Sequence, residues 1–328
     1  MKKILVTGAT GFTGGYLCRR LRNNGHEVRG LALPGMDVSN LKAAGIHVVE
    51  GDLRNKESLL PAVRGVDLIY HIAAVYREEG IPQKTFWDVN VEGTKNLLET
   101  AKSSDVKRFV HCSTVGVQGE ISCPPATEET AYNPGDYYQA SKMEGELLAL
   151  DFFRRENLPG VVFRPVGIYG PGETRFLKLF RYIHQGRFRM IGSGKILYHL
   201  TYIDDLIDGI LLVGNTPGIE GEIFTLAGKH YTTLNELVEI IADVLGRTVK
   251  KRHVPVWPVW LAGAICEYLC RPFRIDPPLY RRRVDFFIKD RAFSIDKAER
   301  ILGYHPKVDL RTGLAKTAEW YRSQGLLD

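Results

Sequence analysis

Short, unbroken apolar runs alternate along the first half of the chain with stretches that carry apolar residues every three or four positions. Lys3 to Thr7, Glu27 to Leu33, His47 to Glu50, Val66 to Ala74, Arg108 to Cys112 and Gly160 to Pro165 read as strands. Runs of this kind, without polar alternation, belong to strands covered on both faces. Tyr16 to Leu21, Val89 to Ala101 and the stretch following Tyr138 have helical spacing and lie between the strands. This alternation predicts an α/β fold with one doubly wound parallel sheet.

Beyond Arg164 the rhythm changes. Gly167 to Gly172 reads as a loop, Phe176 to Gln185 as a helix, Gly192-Ser-Gly194 as a turn, and Thr201 to Val213 as the start and body of another helix. Glu222 to Leu226 has strand character and is expected to rejoin the sheet. Thr233 and Glu236 stand at capping-box spacing ahead of a helix running to Leu245. The chain is accordingly divided at residues 1–165 and 166–328, the second part a smaller lobe with a segment near 222–228 returning to the sheet.

The first strand runs directly into Gly8-Ala-Thr-Gly11-Phe-Thr-Gly14, and a helix follows. Strand, glycine triplet and helix together predict a dinucleotide site. Gly8 permits the tight turn, Gly11 lets the backbone approach a pyrophosphate, and Gly14 allows the helix to pack closely, its N-terminus facing the phosphates. The second strand ends at Ala32-Leu33-Pro34, with neither an acid for a ribose 2′-hydroxyl nor an arginine for a 2′-phosphate, so NAD and NADP are both open. Asp52, after the third strand, is a candidate acceptor for the adenine amino group, or simply a turn residue. The small Ala73-Ala74 end of strand four leaves room for a cofactor.

Tyr138 and Lys142 are four residues apart and share one face of a helix. If both face a cleft, the ammonium lowers the phenol's pKa and makes it a proton acceptor for an alcohol or donor for a ketone. Strand five ends at Ser113-Thr114, which puts a hydroxyl at the carboxyl edge of the sheet, where open α/β sheets bind ligands.

Charge and cysteine content narrow the field. Forty-four basic against 38 acidic residues give a net charge of +6, spread along the chain, and no nucleic-acid partner is expected. Two basic clusters stand out, Lys250-Lys251-Arg252 and Arg281-Arg282-Arg283. Five cysteines, Cys18, Cys112, Cys123, Cys266 and Cys270, give neither a disulfide framework nor a metal pattern, so no metal site is expected. The N-terminal run leads into a strand without signal-peptide character, and Val254 to Cys270, interrupted by Pro255, Pro258 and Glu267, is short for a spanning helix. A cytoplasmic location is expected.

Taken in order, Thr7-Gly8-Ala-Thr-Gly11-Phe-Thr-Gly14, Gly51-Asp52-Leu53, His71-Ile-Ala-Ala74, Asn90-Val-Glu-Gly-Thr94, Ser113-Thr114, Tyr138-Gln-Ala-Ser-Lys142 and Arg164-Pro165 resemble the extended short-chain dehydrogenase/reductase family over essentially the whole length. The resemblance implies a Rossmann sheet binding NAD, with NADP open, and hydride transfer at C4 of the nicotinamide. It makes Tyr138 the acid/base, Lys142 the group that lowers its pKa and binds the nicotinamide ribose, and Thr114 the holder of the substrate oxygen. It places Gly8, Thr10, Gly11, Phe12 and Gly14 around the phosphates and Asp52 and Leu53 at the adenine. Ala73, Ala74, Asn90 and Pro165 fall along the cofactor, Asn90 as structural support, and Tyr76, Gly167 and Tyr198 on the substrate side. A homodimer built on the helices after Asn90 and around Tyr138 to Phe153 is a further implication.

Within the family, 4,6-dehydratases carry Asp-Glu after the threonine, where this chain has Val115-Gly116, so that chemistry is disfavoured. Nucleotide-sugar epimerases are resembled through Tyr169-Gly-Pro-Gly172 and Thr201-Tyr-Ile-Asp-Asp205 and rank first. However, Gly167 and Tyr198 replace two of their substrate contacts, and Arg175, Lys178, Arg187 or Arg291 would have to substitute. The alternative is a 3β-hydroxysteroid dehydrogenase-like enzyme of a less polar small molecule, which His253 to Tyr280 resembles. Trp257, Trp260, Leu261, Ile265, Tyr268 and Leu269 are expected to pack on the substrate lobe, with a hydrophobic lid or a membrane contact as the other reading. A non-catalytic cofactor-binding subunit ranks last.

Overall fold

A computed structural model describes residues 1–76, 80–249, 253–270 and 281–327, with the backbone alone at 281–283. The cluster at 250–252 and the prolines at 277–278 lie outside the described residues.

Seven parallel strands make the main sheet: β1 (Lys3–Thr7), β2 (Glu27–Ala32), β3 (His47–Glu50), β4 (Leu68–His71), β5 (Arg108–Cys112), β6 (Gly160–Pro165) and β7 (Ile223–Leu226). Their order is β7-β6-β5-β4-β1-β2-β3. The chain starts in the middle, winds outward to β3, and crosses back to β4 on the other side of β1. The strand order reverses between β1 and β4, and this reversal opens a crevice beyond their carboxyl ends. The segment expected to return to the sheet does so as β7, in register with β6 from Ile223 opposite Val162 to Leu226 opposite Pro165.

The continuous apolar runs have a physical cause. Successive side chains point to opposite faces, and both faces here are covered. Ile4, Val6, Tyr70, Val110, Val161 and Phe163 join one core with Leu17 and Leu21 of α1 (Phe12–Asn23). Leu5, Ile69, Phe109 and Val162 join the other, with Leu97 and Leu98 of α2 (Gly93–Ser103) and Ala149 and Phe153 of α3 (Tyr137–Glu156). Helix α4 (Ile203–Asn215) adds Ile203, Ile207 and Val213 to the first core.

The rest of the chain forms short pairs over the strand ends. Gly167–Tyr169 pairs with Leu200–Tyr202, Leu197–Tyr198 with Thr232–Thr233, and Met190–Ile191 with His253–Val254. Helix α5 (Leu234–Val244) starts from the expected capping box of Thr233 and Glu236. Helix α6 (Val256–Cys270) departs from expectation. Trp257 is 70% exposed, Tyr268 78% and Leu269 59%, and Trp260, Leu261 and Ile265 are exposed as well. Packing on the lobe therefore does not cover this stripe. Of the helix, Gly263 is buried.

Candidate active site

Between β1 and α1 the backbone turns at Gly8, whose φ is +69°. A β-carbon there would stand 2.8 Å from the amide nitrogen of Ala73, and one at Gly14 would stand 2.1 Å from the Gly8 carbonyl oxygen. Glycine is required at both positions by steric exclusion. The Gly11 amide donates to the Gly8 carbonyl at 3.0 Å. Gly11 caps α1 without a side-chain acceptor, so the first-turn N–H groups point toward the cleft with no side chain to accept from them. These features fit a dinucleotide pyrophosphate.

The cleft at the crevice has a volume of about 1180 Å³. The sequence residues Gly8, Thr10, Gly11, Phe12, Gly14, Asp52, Leu53, Ala73, Ala74, Tyr76, Thr114, Tyr138, Pro165, Gly167 and Tyr198 all line it. Segments more than a hundred residues apart in the chain are thereby brought to one wall. Lys142 and Asn90 lie just behind it, at 2% and 1% exposure.

Each of these two has a defined task in the structure. Lys142 Nζ donates to the Cys112 carbonyl at 2.6 Å, and burial pulls its pKa below the ordinary lysine value, with the Cys112 and Glu146 charges opposing that fall. Asn90 Nδ2 donates to the Val75 carbonyl (3.1 Å) and to Ser141 Oγ (2.9 Å), and its Oδ1 accepts from the Val75 amide (2.8 Å). It thus ties the loop after β4 to the turn of α3 that carries Tyr138. A single π-turn over Asp88–Glu92 ahead of α2 sets it in position. The chain approaches so closely that a β-carbon at Gly145 would stand 2.4 Å from the Asn90 carbonyl oxygen.

Thr114 caps the short turn Val115–Gln118, its Oγ1 accepting from the Gly116 amide at 3.1 Å. That bond fixes the side chain and leaves the hydroxyl proton free to point at a ligand. Tyr138 follows the N-cap Asp136, whose side chain accepts from the Gln139 amide at 2.8 Å. Asp52 meets a cation as well as the cleft: Arg54 contacts its carboxylate at 2.6 and 3.0 Å, and the same arginine holds the Asp52 pKa below the carboxylate range.

His71 sits behind Ala73. Thr94 Oγ1 donates to the Asn90 carbonyl (2.8 Å), so it accepts from His71 Nε2–H (3.0 Å), and Nδ1 then accepts from Thr7 Oγ1 (2.8 Å). Burial pulls the His71 pKa to about 3, and the ring is neutral. Its role is to brace the strand ends.

Of the four candidate cations, Arg175 and Arg291 line the cleft, whereas Lys178 and Arg187 do not. Arg175 bonds Glu173 Oε2 through Nε at 2.7 Å, and its guanidinium lies 5.3 Å from the Tyr76 ring centroid. The Arg291 guanidinium lies 5.8 Å from the centroid of Tyr198, which meets Phe286 edge-on at 5.1 Å. Phe286, Phe293, Ile81 and Ile168 complete an apolar wall that no single motif announced. A β-carbon at Gly167 would stand 2.8 Å from Leu200 Cδ2, so the leucine side chain would have to shift to admit one.

Residues 4–227 match the family model described as the NAD dependent epimerase/dehydratase family. The chain is 30% identical to the 2-alkyl-3-oxoalkanoate reductase of Stenotrophomonas maltophilia, over 96% of this chain and 98% of that one. It is also 30% identical to the 3-beta-hydroxysteroid dehydrogenase of Mycolicibacterium neoaurum, over 97% and 91%. Among solved structures it resembles a UDP-glucuronic acid 4-epimerase from Bacillus cereus in complex with NAD, with a TM-score of 0.78, 25% identity and coverage of 98% and 99%. No helix among the described residues is long and apolar enough to cross a membrane. The chain belongs to the NAD dependent epimerase/dehydratase family, within the extended short-chain dehydrogenases/reductases.

Proposed function

We propose that this chain is an NAD-dependent dehydrogenase or reductase acting at a secondary alcohol or ketone carbon of a substrate with an apolar body and an anionic group. The observation that carries this reading is the substrate wall. Tyr76, Ile81, Tyr198, Phe286 and Phe293 surround two arginines, Arg175 and Arg291, facing the same cleft as Tyr138. A largely apolar pocket with a few convergent polar groups suits such a molecule, and a guanidinium is matched to a carboxylate or phosphate. The relative that reduces 2-alkyl-3-oxoalkanoates supports a 3-oxo or 3-hydroxy acid as the first class to test.

In this reading Tyr138 takes the alcohol proton during oxidation and returns it during reduction. Thr114 donates a hydrogen bond to the same oxygen and fixes its position. The Lys142 ammonium, one helical turn from Tyr138, offsets the phenolate charge. Gly8, Gly11 and the α1 N-terminus hold the pyrophosphate, and Ala73 and Pro165 leave a flat passage for the nicotinamide. NAD, when bound, supplies the hydride acceptor.

A nucleotide-sugar epimerase is the second reading, favoured by the likeness to the UDP-glucuronic acid 4-epimerase and by Arg291 as a cation for a diphosphate. The two differ in how they hold cofactor. Denaturing the purified protein and identifying the released dinucleotide separates them. A dehydrogenase exchanges its cofactor and emerges from gel filtration largely empty. Near-stoichiometric NAD surviving that step would overturn the first reading in favour of the second.

A further inference from the structure

We propose that helix α6 docks on the surface of an anionic lipid bilayer and presents the substrate side of the cleft to it. The 15-residue helix carries one charged side chain, Glu267. Its exposed residues are Trp257, Trp260, Leu261, Ile265, Tyr268 and Leu269. Positions 257, 261, 265 and 268–269 recur every three to four residues and form one stripe. Tryptophan and tyrosine with an apolar body and a polar edge are the residues that settle at the boundary of headgroups and acyl chains.

Length decides between spanning and lying flat. Fifteen residues rise roughly 22 Å as a helix, short of the roughly 30 Å hydrocarbon core. The helix therefore lies in the interface plane. Its charge surroundings choose the surface. Lys250, Lys251 and Arg252 precede it in the chain, and Arg281, Arg282 and Arg283 follow it. Six cations flanking an apolar helix complement anionic headgroups.

The placement has a consequence for access. Helix α6 packs against α7 (Arg281–Ile288), and Phe286 of α7 lines the cleft. His253–Val254, just before α6, pairs with Met190–Ile191 of the substrate lobe. A bilayer-bound protein would thus receive a lipophilic substrate beside the apolar wall rather than through bulk water.

The test is sedimentation of the full chain with vesicles of phosphatidylcholine alone and of phosphatidylcholine mixed with phosphatidylglycerol, without substrate. It reads binding independently of the reaction. Co-sedimentation with the anionic vesicles, at least about tenfold weaker with the neutral ones, is the expected result. The exposed pair Trp257→Glu with Tyr268→Glu, and separately the triple change of Arg281, Arg282 and Arg283 to Gln, should each reduce it by a similar factor while the thermal melt is unchanged. Absence of binding to both vesicles, or equal binding to both, would overturn the proposal. So would a Trp257→Glu, Tyr268→Glu protein that still binds vesicles but changes oligomeric size, because the stripe would then be a protein–protein face.

Discussion

The ring of Tyr76 meets the ring of Tyr138 edge-on, with 4.8 Å between centroids and 72° between planes. Tyr76 is in turn overlaid by the Arg175 guanidinium. A residue from the loop after β4 thereby limits where the phenol of α3 can swing, and an ion-paired arginine holds that residue in place. Such ring pairs contribute about 0.5–1.5 kcal/mol beyond area burial. Tyr76→Ala should lower kcat/KM by about tenfold and leave the cofactor dissociation constant unchanged, as steady-state kinetics and NADH fluorescence titration would measure. A loss confined to cofactor affinity would contradict this placement.

Asn90 braces the same region from behind. Asn90→Ala leaves the half-buried Val75 amide and carbonyl without their side-chain partner and removes the donor to Ser141 Oγ, which still donates to the Tyr138 carbonyl. The cost is about 1–3 kcal/mol per unsatisfied group, read as a lower urea midpoint at unchanged m-value. Asn90→Asp keeps the acceptor for Val75 and should recover part of that loss at neutral pH.

Acid should destabilise the fold early. Burial pulls His71 down to about 3, His199 down to about 4, and His111 well below the ordinary value. All three stay neutral in the folded chain, while in the unfolded chain they protonate near pH 6.5. Below that pH the unfolded state binds more protons, so unfolding free energy falls with falling pH, by up to about 1.4 kcal/mol per pH unit for each histidine. The contribution is fully present above pH 6.5 and is lost progressively toward the folded values. Urea unfolding between pH 7 and pH 5 should show the fall, and His71→Gln should flatten part of it. A stability that stays level across that window would refute neutral burial.

Gly14→Ala tests the cradle. The added methyl would meet the Gly8 carbonyl carbon and oxygen, backbone atoms that cannot rotate away. Cofactor affinity should fall by at least about a hundredfold, measured by titration with NADH. Gly25→Ala, at φ +82° with nothing within 4 Å, strains the backbone away from the cleft and should leave cofactor affinity unchanged, which separates the loop's effect from a general loss of stability.

The sheet was legible because buried parallel strands leave an unmistakable mark. Leu5 and Ile69 face one core while their neighbours face the other, so apolar residues dominate both faces, with His71, His111 and Arg164 as buried exceptions toward the strands' carboxyl ends. Strand ends were less legible. The apolar run from Val66 to Ala74 narrows to Leu68–His71, since the small residues beyond it serve the cleft instead of the ladder. The helix predicted from Val89 is a π-turn up to Glu92, which the apolar spacing could not reveal. Thr114 and Tyr138 were readable from local motifs, whereas Arg175 and Arg291 stood only among four candidate cations and nothing marked Phe286. They reach the cleft from loops and a late helix whose placement depends on tertiary contacts. The exposure of helix α6 was not legible for a related reason: apart from Glu267 it is apolar all round, and periodicity cannot say which side is covered.

Hydride transfer assisted by Tyr138 is tested most directly by NADH appearance with NAD and a panel of apolar 3-hydroxy acids, comparing the native chain with Tyr138→Phe. The native protein should produce NADH, and the variant should turn over about 10²–10⁴-fold more slowly while binding NADH with nearly native affinity. Equal turnover by the variant would contradict the role of Tyr138. No NADH from any such alcohol, with interconversion of nucleotide sugars instead, would contradict the dehydrogenase reading.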